Sequence, residues 1–487
     1  MATAMQDEDT DTESQTARKR LVIAGASGSI GTALCQALSR QFDITAITHL
    51  EARAKTPDPD LPVTWRHCDL FSRTEMATSL AGADYAIYLV HTRLPSARLD
   101  QAQCEDMDLI IADNFARASN INGAKQILCL RGLLPVEELP AEAVERRNEV
   151  VDTLGAYGTP VTVIRASLVV APGSTAVNLI GSQVIHGRFV PIPRWTLSPK
   201  QPVAVDDLIR AVRVCLGKPE AFAGSFDIGG PEVLNWREVL EQAAELQGRQ
   251  PVFVPLRWLP RRVYAWWLRR RSRRTHPATI RMLVEDLQYG SLASDNPLQR
   301  AISRGAIECR EAIRPYLDAG DRARLANPRS GIMGVYEEQL RESSNVRSIQ
   351  RIRLPAGQNA EWMAETYFGW LQEFVWPFVA CRSDRSGSYR VKIRGLGLTL
   401  LELSFQPEHS SPDRRMYFIT GGLLASGSRN VRGRMEFHDI LDGRYTIVAI
   451  HDFAPALPWN FYQATQATAH GFVMRAFQRH MSTIAGG

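Results

Sequence analysis

The sequence predicts an α/β chain: a doubly wound parallel sheet with a small substrate lobe, followed by a separate α+β domain. Three observations carry this reading. Residues 20–40, RLVIAGASGSIGTALCQALSR, set out a short apolar strand, a glycine turn and an amphipathic helix in that order. Strand and helix signals then alternate as far as residue 170, as a parallel sheet with helical crossovers requires. Beyond residue 344 successive strands follow one another, which suits antiparallel pairing. A chain of 487 residues also exceeds what one core usually serves.

Residues 1–18 place five acids before the first base and contain no apolar run, so they read as a disordered acidic tail and not as a secretory signal. The unit at 19–250 opens on the glycine turn. Gly25 allows the tight turn, Gly28 lets the backbone approach a pyrophosphate, and Gly31 lets the helix pack close to the strand. The amides around Ser27, Ser29 and Ile30 then face the phosphates from the helix N-terminus. The following segments are FDITAITHL, VTWRHCDL and ADYAIYLVHT, a helix over 101–119, AKQILCL, a helix over 145–154, and PVTVIRASLVV. The second strand ends at Thr48 and His49 with no acid before Glu51, and Arg53 and Lys55 follow. An acid there would read the ribose hydroxyls of NAD and repel a 2′-phosphate, so NADP is favoured over NAD. Thr48, His49 and Arg53 are candidate contacts; Arg53 reads equally as a solvated helix residue.

The GxxGxxG spacing, Asp69 after the third strand, Asn114 on the long helix, Arg165 in VIRASLVVAPGS and the later PVAVDD resemble the extended and atypical (NmrA-like) short-chain dehydrogenase/reductases with a Rossmann sheet. That resemblance implies that Asp69 and Leu70 flank an adenine, that Val90 and His91 lie beside a ribose, and that Asn114 holds a water or backbone near the site. It also implies a Ser, a Tyr and a Lys for proton transfer. The sequence has Arg131 and Gly132 in place of the Ser, and Ala143 and Arg147 in place of the Tyr and Lys. Arg147 reads as a ribose or phosphate contact, or as a solvent-facing charge. His91, at the end of the fourth strand, is the substitute proton donor or a hydrogen-bonding group at the pocket edge. His91 and Asn114 are thus the catalytic candidates, and Tyr157 is expected to be structural.

Residues 174–248 read as the substrate lobe, where Ile185, Phe189, Pro191, Arg194 and Trp195 line a pocket or fill a core. A basic aromatic bridge and helical extension follow at 251–344. Between Arg257 and Arg274 stand eight arginines and no acid, so the formal charge of +5 belongs to this segment and the rest of the chain sums to −3. Val263, Trp266 and Trp267 make an apolar helix face that suits peripheral membrane contact or packing against the protein. No recognisable nucleic-acid fold surrounds it, so no nucleic-acid partner is expected.

At 345–487, six strand signals from VRSIQRIRL to RYTIVAIHDF, with helices over Ala360–Phe374 and Trp459–Met481, resemble the START-like helix-grip (SRPBCC) fold. That likeness implies an apolar ligand cavity, or the same pattern around a filled core. The whole combination resembles bacterial NAD(P)H-binding proteins with a C-terminal domain of unknown function. It implies NAD(P)(H) binding and oxidoreductase activity on an apolar substrate; the alternatives are a dinucleotide-sensing regulator and a lipid-binding protein at a membrane surface. Seven scattered cysteines without a CxxC pair suggest neither a disulfide framework nor a metal site. With no apolar run long enough to span a bilayer, the expected location is cytoplasmic, with peripheral contact at the inner membrane face.

Overall fold

The computed structural model describes residues 18–55, 61–92, 95–137, 140–272, 275–317, 336, 338–340, 345–426 and 433–485. The expected acidic tail, apart from Arg18, lies outside them, as does much of 318–344. Strands β1 (Arg20–Ala24), β2 (Asp43–Thr48), β3 (Thr64–His67) and β4 (Tyr85–Tyr88) come first. A short β5 (Leu99–Gln101) precedes β6 (Ile127–Gly132), β7 (Val161–Ala166), β8 (Val169–Val170), β9 (Phe189–Pro193), β10 (Val203–Ala204), β11 (Ser225–Ile228) and β12 (Val252–Leu256). Seven of them form one parallel sheet in the order β11-β7-β6-β4-β1-β2-β3. The order reverses between β1 and β4. At that switch point the C-terminal strand ends splay apart and leave a crevice.

The helices of this half are α1 (Ser29–Leu38), α2 (Glu51–Lys55), α3 (Arg73–Ser79), α4 (Cys104–Ile121), α5 (Ala141–Gly155), α6 (Thr175–His186), α7 (Val205–Cys215), α8 (Trp236–Leu246), α9 (Arg261–Arg271), α10 (Pro277–Asp286), α11 (Pro297–Ser303) and α12 (Cys309–Leu317). Helix α1 sets Leu34, Cys35 and Leu38 against one sheet face. On the other face α4 is buried nearly all round, including Asp106, Asp108 and Asp113. A helix buried on two sides has a second layer over it.

That layer is the C-terminal sheet. Its strands are β13 (Val346–Arg353), β14 (Val379–Ser383), β15 (Tyr389–Ile393), β16 (Thr399–Phe405), β17 (Arg414–Gly421), β18 (Arg434–Ile440) and β19 (Tyr445–Phe453). They run in the order β14-β15-β16-β17-β18-β19-β13, antiparallel throughout, and β5 joins the edge parallel to β13. A strand from the first half thus covers an edge that would otherwise be open to another chain. Every residue of β18 is buried. Met435 and Phe437 enter an apolar core with the helices Ala360–Phe374 and Gln466–Ala485, while Ile440, with Ile349, Ile447 and Ala449, packs into the core around α4. Period-two alternation therefore serves two cores, one on each face.

Strands β14 and β5 are additions to the sequence expectations, and the last helix differs from the one expected. Neither short strand stood out from its pattern. In place of one helix over 459–481 there are two, Trp459–Ala464 and Gln466–Ala485, divided at Thr465, whose φ of −116° and ψ of −78° distort the turn while its hydroxyl donates to the Phe461 carbonyl. Among the described residues no helix is long and apolar enough to cross a membrane.

Candidate dinucleotide site

The glycine turn is built as the sequence requires. Gly25 stands at φ +81°, and a Cβ added there would lie 3.0 Å from the Leu89 carbonyl on the next strand exit. Gly31 is tighter: a Cβ would come within 2.5 Å of the Gly25 carbonyl oxygen and 2.7 Å of Ala26. Gly28 caps α1 in an extended conformation, its amide donating to Gly25 O at 3.0 Å, and it brings no side chain to the first-turn amides of Ser29 and Ile30. A phosphate is the natural partner for such amides at a strand-to-helix turn. The turn fits the pyrophosphate of a dinucleotide, since a side chain at Gly25 or Gly31 would push apart the backbone segments that bring these amides together.

Ser27 and Thr48 are both buried, and Thr48 Oγ1 donates to Ser27 Oγ at 3.1 Å while accepting from Leu50 N. The hydroxyl of Thr48, a candidate cofactor contact, thus ties the end of β2 to the glycine turn. Arg53 lies 4.5 Å over the Trp65 ring, and its neighbours Glu51 and Lys55 pair with each other at 2.6 Å. Stacking on Trp65 holds the guanidinium beside β3, next to the end of β2.

Asp69 departs most from expectation. Its Oδ2 meets Arg434 Nη2 at 3.3 Å, its Oδ1 accepts from Phe71 N at 3.1 Å, and Arg347 Nη2 stands 4.0 Å away. Burial alone would raise this carboxyl, but Arg347, Arg434 and His451 hold it below its ordinary value. The carboxylate expected at an adenine is engaged by two arginines of the C-terminal sheet. Leu70 and Val90 are buried in the core around α4. Asn114, only 1% exposed, donates to Leu70 O at 3.2 Å and so ties α4 to the exit from β3.

His91 follows the switch point with its side chain 39% exposed and Nδ1 3.9 Å from Asp108 Oδ2. Asp108 Oδ1 accepts from both Thr92 N (2.8 Å) and Thr92 Oγ1 (2.7 Å), which fixes the carboxylate behind the imidazole. At the end of β6, Arg131 keeps Nη1 buried without a hydrogen-bond partner among the described residues. Arg147 lies 5.9 Å from the Tyr289 ring. The loop that carries Tyr289 is clamped on both sides: Gly290 N donates to the Glu137 carboxylate, Val136 N donates to Gly290 O, and Ser198 Oγ donates to Gln288 O. Below it, buried Lys200 donates from Nζ to Asp286 O at 2.6 Å, and burial lowers its pKa.

Two groups of the crevice went unnoticed in the sequence. Tyr336 sets its ring edge-on to His49 at 5.3 Å and donates from Oη to Pro95 O at 3.2 Å, across the ends of β2 and β4. Tyr289 comes from the loop after α10. Neither position has a spacing signal, because each reaches the crevice by tertiary return of the chain. Of the lobe residues expected to line a pocket or fill a core, Trp195 packs against the lobe's core. Trp195 donates from Nε1 to Leu259 O and packs edge-on to Tyr264, Arg194 is exposed, and Phe189 is exposed at the start of β9. Tyr157 is structural, donating to Asp113 Oδ1 at 2.5 Å under the Arg117 guanidinium. The described residues contain no group of three or more His, Cys, Asp or Glu placed to hold a metal, and all seven cysteines are free.

Comparison with known proteins adds relatives for the first half. The auxiliary protein GraX of Staphylococcus aureus is 31% identical over 144 residues, which is 30% of this chain and 43% of GraX. A nucleoside-diphosphate-sugar epimerase structure from Staphylococcus aureus aligns over 61% of this chain and 99% of its own, at 13% identity and a TM-score of 0.48. The triphenylmethane reductase of Citrobacter sp., solved with NADP(H), aligns over 61% of this chain and 99% of its own, at 14% identity and a TM-score of 0.47. Residues 21–131, from β1 through the glycine turn to Arg131, match the NAD dependent epimerase/dehydratase family.

Proposed function

We propose that the chain is an NADP(H)-dependent oxidoreductase acting on an apolar carbonyl or quinone substrate. The observation that carries this reading is the cradle at Gly25, Gly28 and Gly31, where a Cβ at Gly31 would lie 2.5 Å from backbone oxygen. The absence of an acid at the end of β2, with His49 and Arg53 in its place, supports the 2′-phosphate form of the cofactor. When bound, the nicotinamide supplies the hydride chemistry. Asp108 holds the Nδ1 side of His91, which leaves Nε2 as the atom that hands a proton to a reduced oxygen. Arg131, with an unused donor at the end of β6, orients that oxygen.

The apolar substrate class rests on the C-terminal half. Trp376, Phe378, Leu396, Leu398 and Leu423 are exposed around one end of its sheet. Patches of this kind mark sites that take apolar partners. A START-like ligand-binding domain suits this arrangement of one antiparallel sheet gripped by a long C-terminal helix.

The test is single-turnover oxidation of bound NADPH against a panel of aldehydes, ketones and quinones. His91→Gln is expected to slow the step by about a hundredfold while NADPH still binds. A second reading, a dinucleotide sensor without turnover, is favoured by the engagement of Asp69 by Arg434 and of His49 by Tyr336. NADPH binding with no oxidation by any compound of the panel selects that reading.

A further inference from the structure

We infer that the outer face of α9 and the turn before it dock on an anionic lipid bilayer. Between Leu246 and Val284 the sequence has ten arginines and no acid. The segment therefore has no carboxylate of its own to neutralise it.

The fold divides its aromatic residues between two faces. Tyr264, Ala265 and Leu268 are buried, and Trp267 stacks on Tyr264 at 5.7 Å, so one side of α9 is anchored in the lobe. The opposite side presents Arg262, Val263, Trp266, Arg269 and Arg270, all exposed, at the spacing of a single helix face. Trp266 is 53% exposed, with the Arg270 guanidinium 4.3 Å over its ring. Just before the helix, Trp258 is 93% exposed beside Arg257. Two indoles and a valine stand in water among guanidinium groups.

That chemistry selects the occupant. Indole side chains favour the headgroup level of a bilayer, and arginines on long arms reach phosphates above it. Nucleic acid would use the cations and the indole faces but would leave Val263 without a role. A protein partner would need acids to match every arginine. An anionic bilayer satisfies both kinds of side chain at once, because the apolar groups enter the acyl boundary while its surface charge draws the cations.

The experiment is cosedimentation of the full chain with vesicles of phosphatidylcholine alone, or with 30% phosphatidylglycerol added, at about 0.1 M salt. Binding is expected only to the anionic vesicles. The triple variant Arg262→Gln, Arg269→Gln, Arg270→Gln should weaken it by roughly a hundredfold, from the loss of three cations near the surface. The pair Trp258→Ala, Trp266→Ala, which keeps every charge, should weaken it by about tenfold or more. NADPH affinity, measured on the same preparations, should stay unchanged in both variants and serves as the check on folding. No binding to anionic vesicles overturns the inference. So does equal binding by both variants, or tight binding to single-stranded DNA under conditions where vesicles are not bound.

Discussion

Arg434 Nη2 lies 3.3 Å from Asp69 Oδ2, joining residues 365 positions apart. Through this contact the C-terminal sheet reaches the rim of the dinucleotide crevice. Arg434 also holds Asp452 at 3.0 Å and the Phe71 carbonyl at 3.3 Å, and Arg347 covers the Phe71 ring at 3.9 Å. Removing one partner of such a buried group leaves the others uncompensated. Arg434→Gln is therefore expected to cost on the order of 2 kcal/mol in urea denaturation. Asp69→Asn should recover part of that loss in the Arg434→Gln background, as a double-mutant cycle will measure.

The same face explains what the sequence could and could not disclose. The parallel sheet and the glycine turn follow from apolar runs bounded by helices, a pattern local to each segment, while the order of the seven strands is a tertiary fact. In β18 the residues Arg434, Glu436 and His438 alternate with Met435 and Phe437, a polar face opposite an apolar one. All of them are buried: Glu436 Oε2 accepts from Arg414, its Oε1 lies 2.7 Å from His451 Nε2, and His438 Nε2 lies 2.8 Å from Asp113 Oδ2. Period two marks which residues share a face and leaves open what covers it. The crevice was legible to the same extent, since Gly25 and Gly31 are fixed by local backbone geometry while Tyr289 and Tyr336 arrive from distant chain.

At the turn itself, Gly31→Ala forces a methyl against the Gly25 carbonyl at 2.5 Å, with backbone on both sides. Overpacking of this kind costs about 1–3 kcal/mol or more. The expected outcome is a lowered thermal midpoint and loss of dinucleotide binding by calorimetry. Gly369→Ala, in a helix where a Cβ meets nothing within 4 Å, controls for replacing a helical glycine without the clash and should leave binding intact.

Tyr336 stands over His49 at the β2 end of the crevice, where the adenosine half of a dinucleotide belongs. Tyr336→Ala is expected to tighten NADPH binding several-fold by clearing that end. Weaker binding would mean that the ring forms part of the nucleotide's own wall.

His470 gives a pH signature. Burial pushes its imidazole down to about 4, with Nε2 2.9 Å from Ser348 Oγ. Above about pH 6.5 the group is neutral in both folded and unfolded chains. As pH falls from there toward 4, only the unfolded chain takes up the proton, so stability is lost in that window by on the order of 2 kcal/mol. Asp439 acts in the opposite sense: burial raises it to about 6, so between pH 6 and 4 the folded carboxyl is the one that holds a proton. Comparing His470→Gln with the native chain cancels that contribution. The variant should lose less stability between pH 7.5 and pH 5 in urea titrations.

Calorimetric titration of the full chain with NADPH and with NADH tests the central claim most directly. Saturable binding of one molecule per chain is expected, tighter for NADPH and abolished by Gly31→Ala. No binding of either nucleotide to the folded chain would contradict the dinucleotide site.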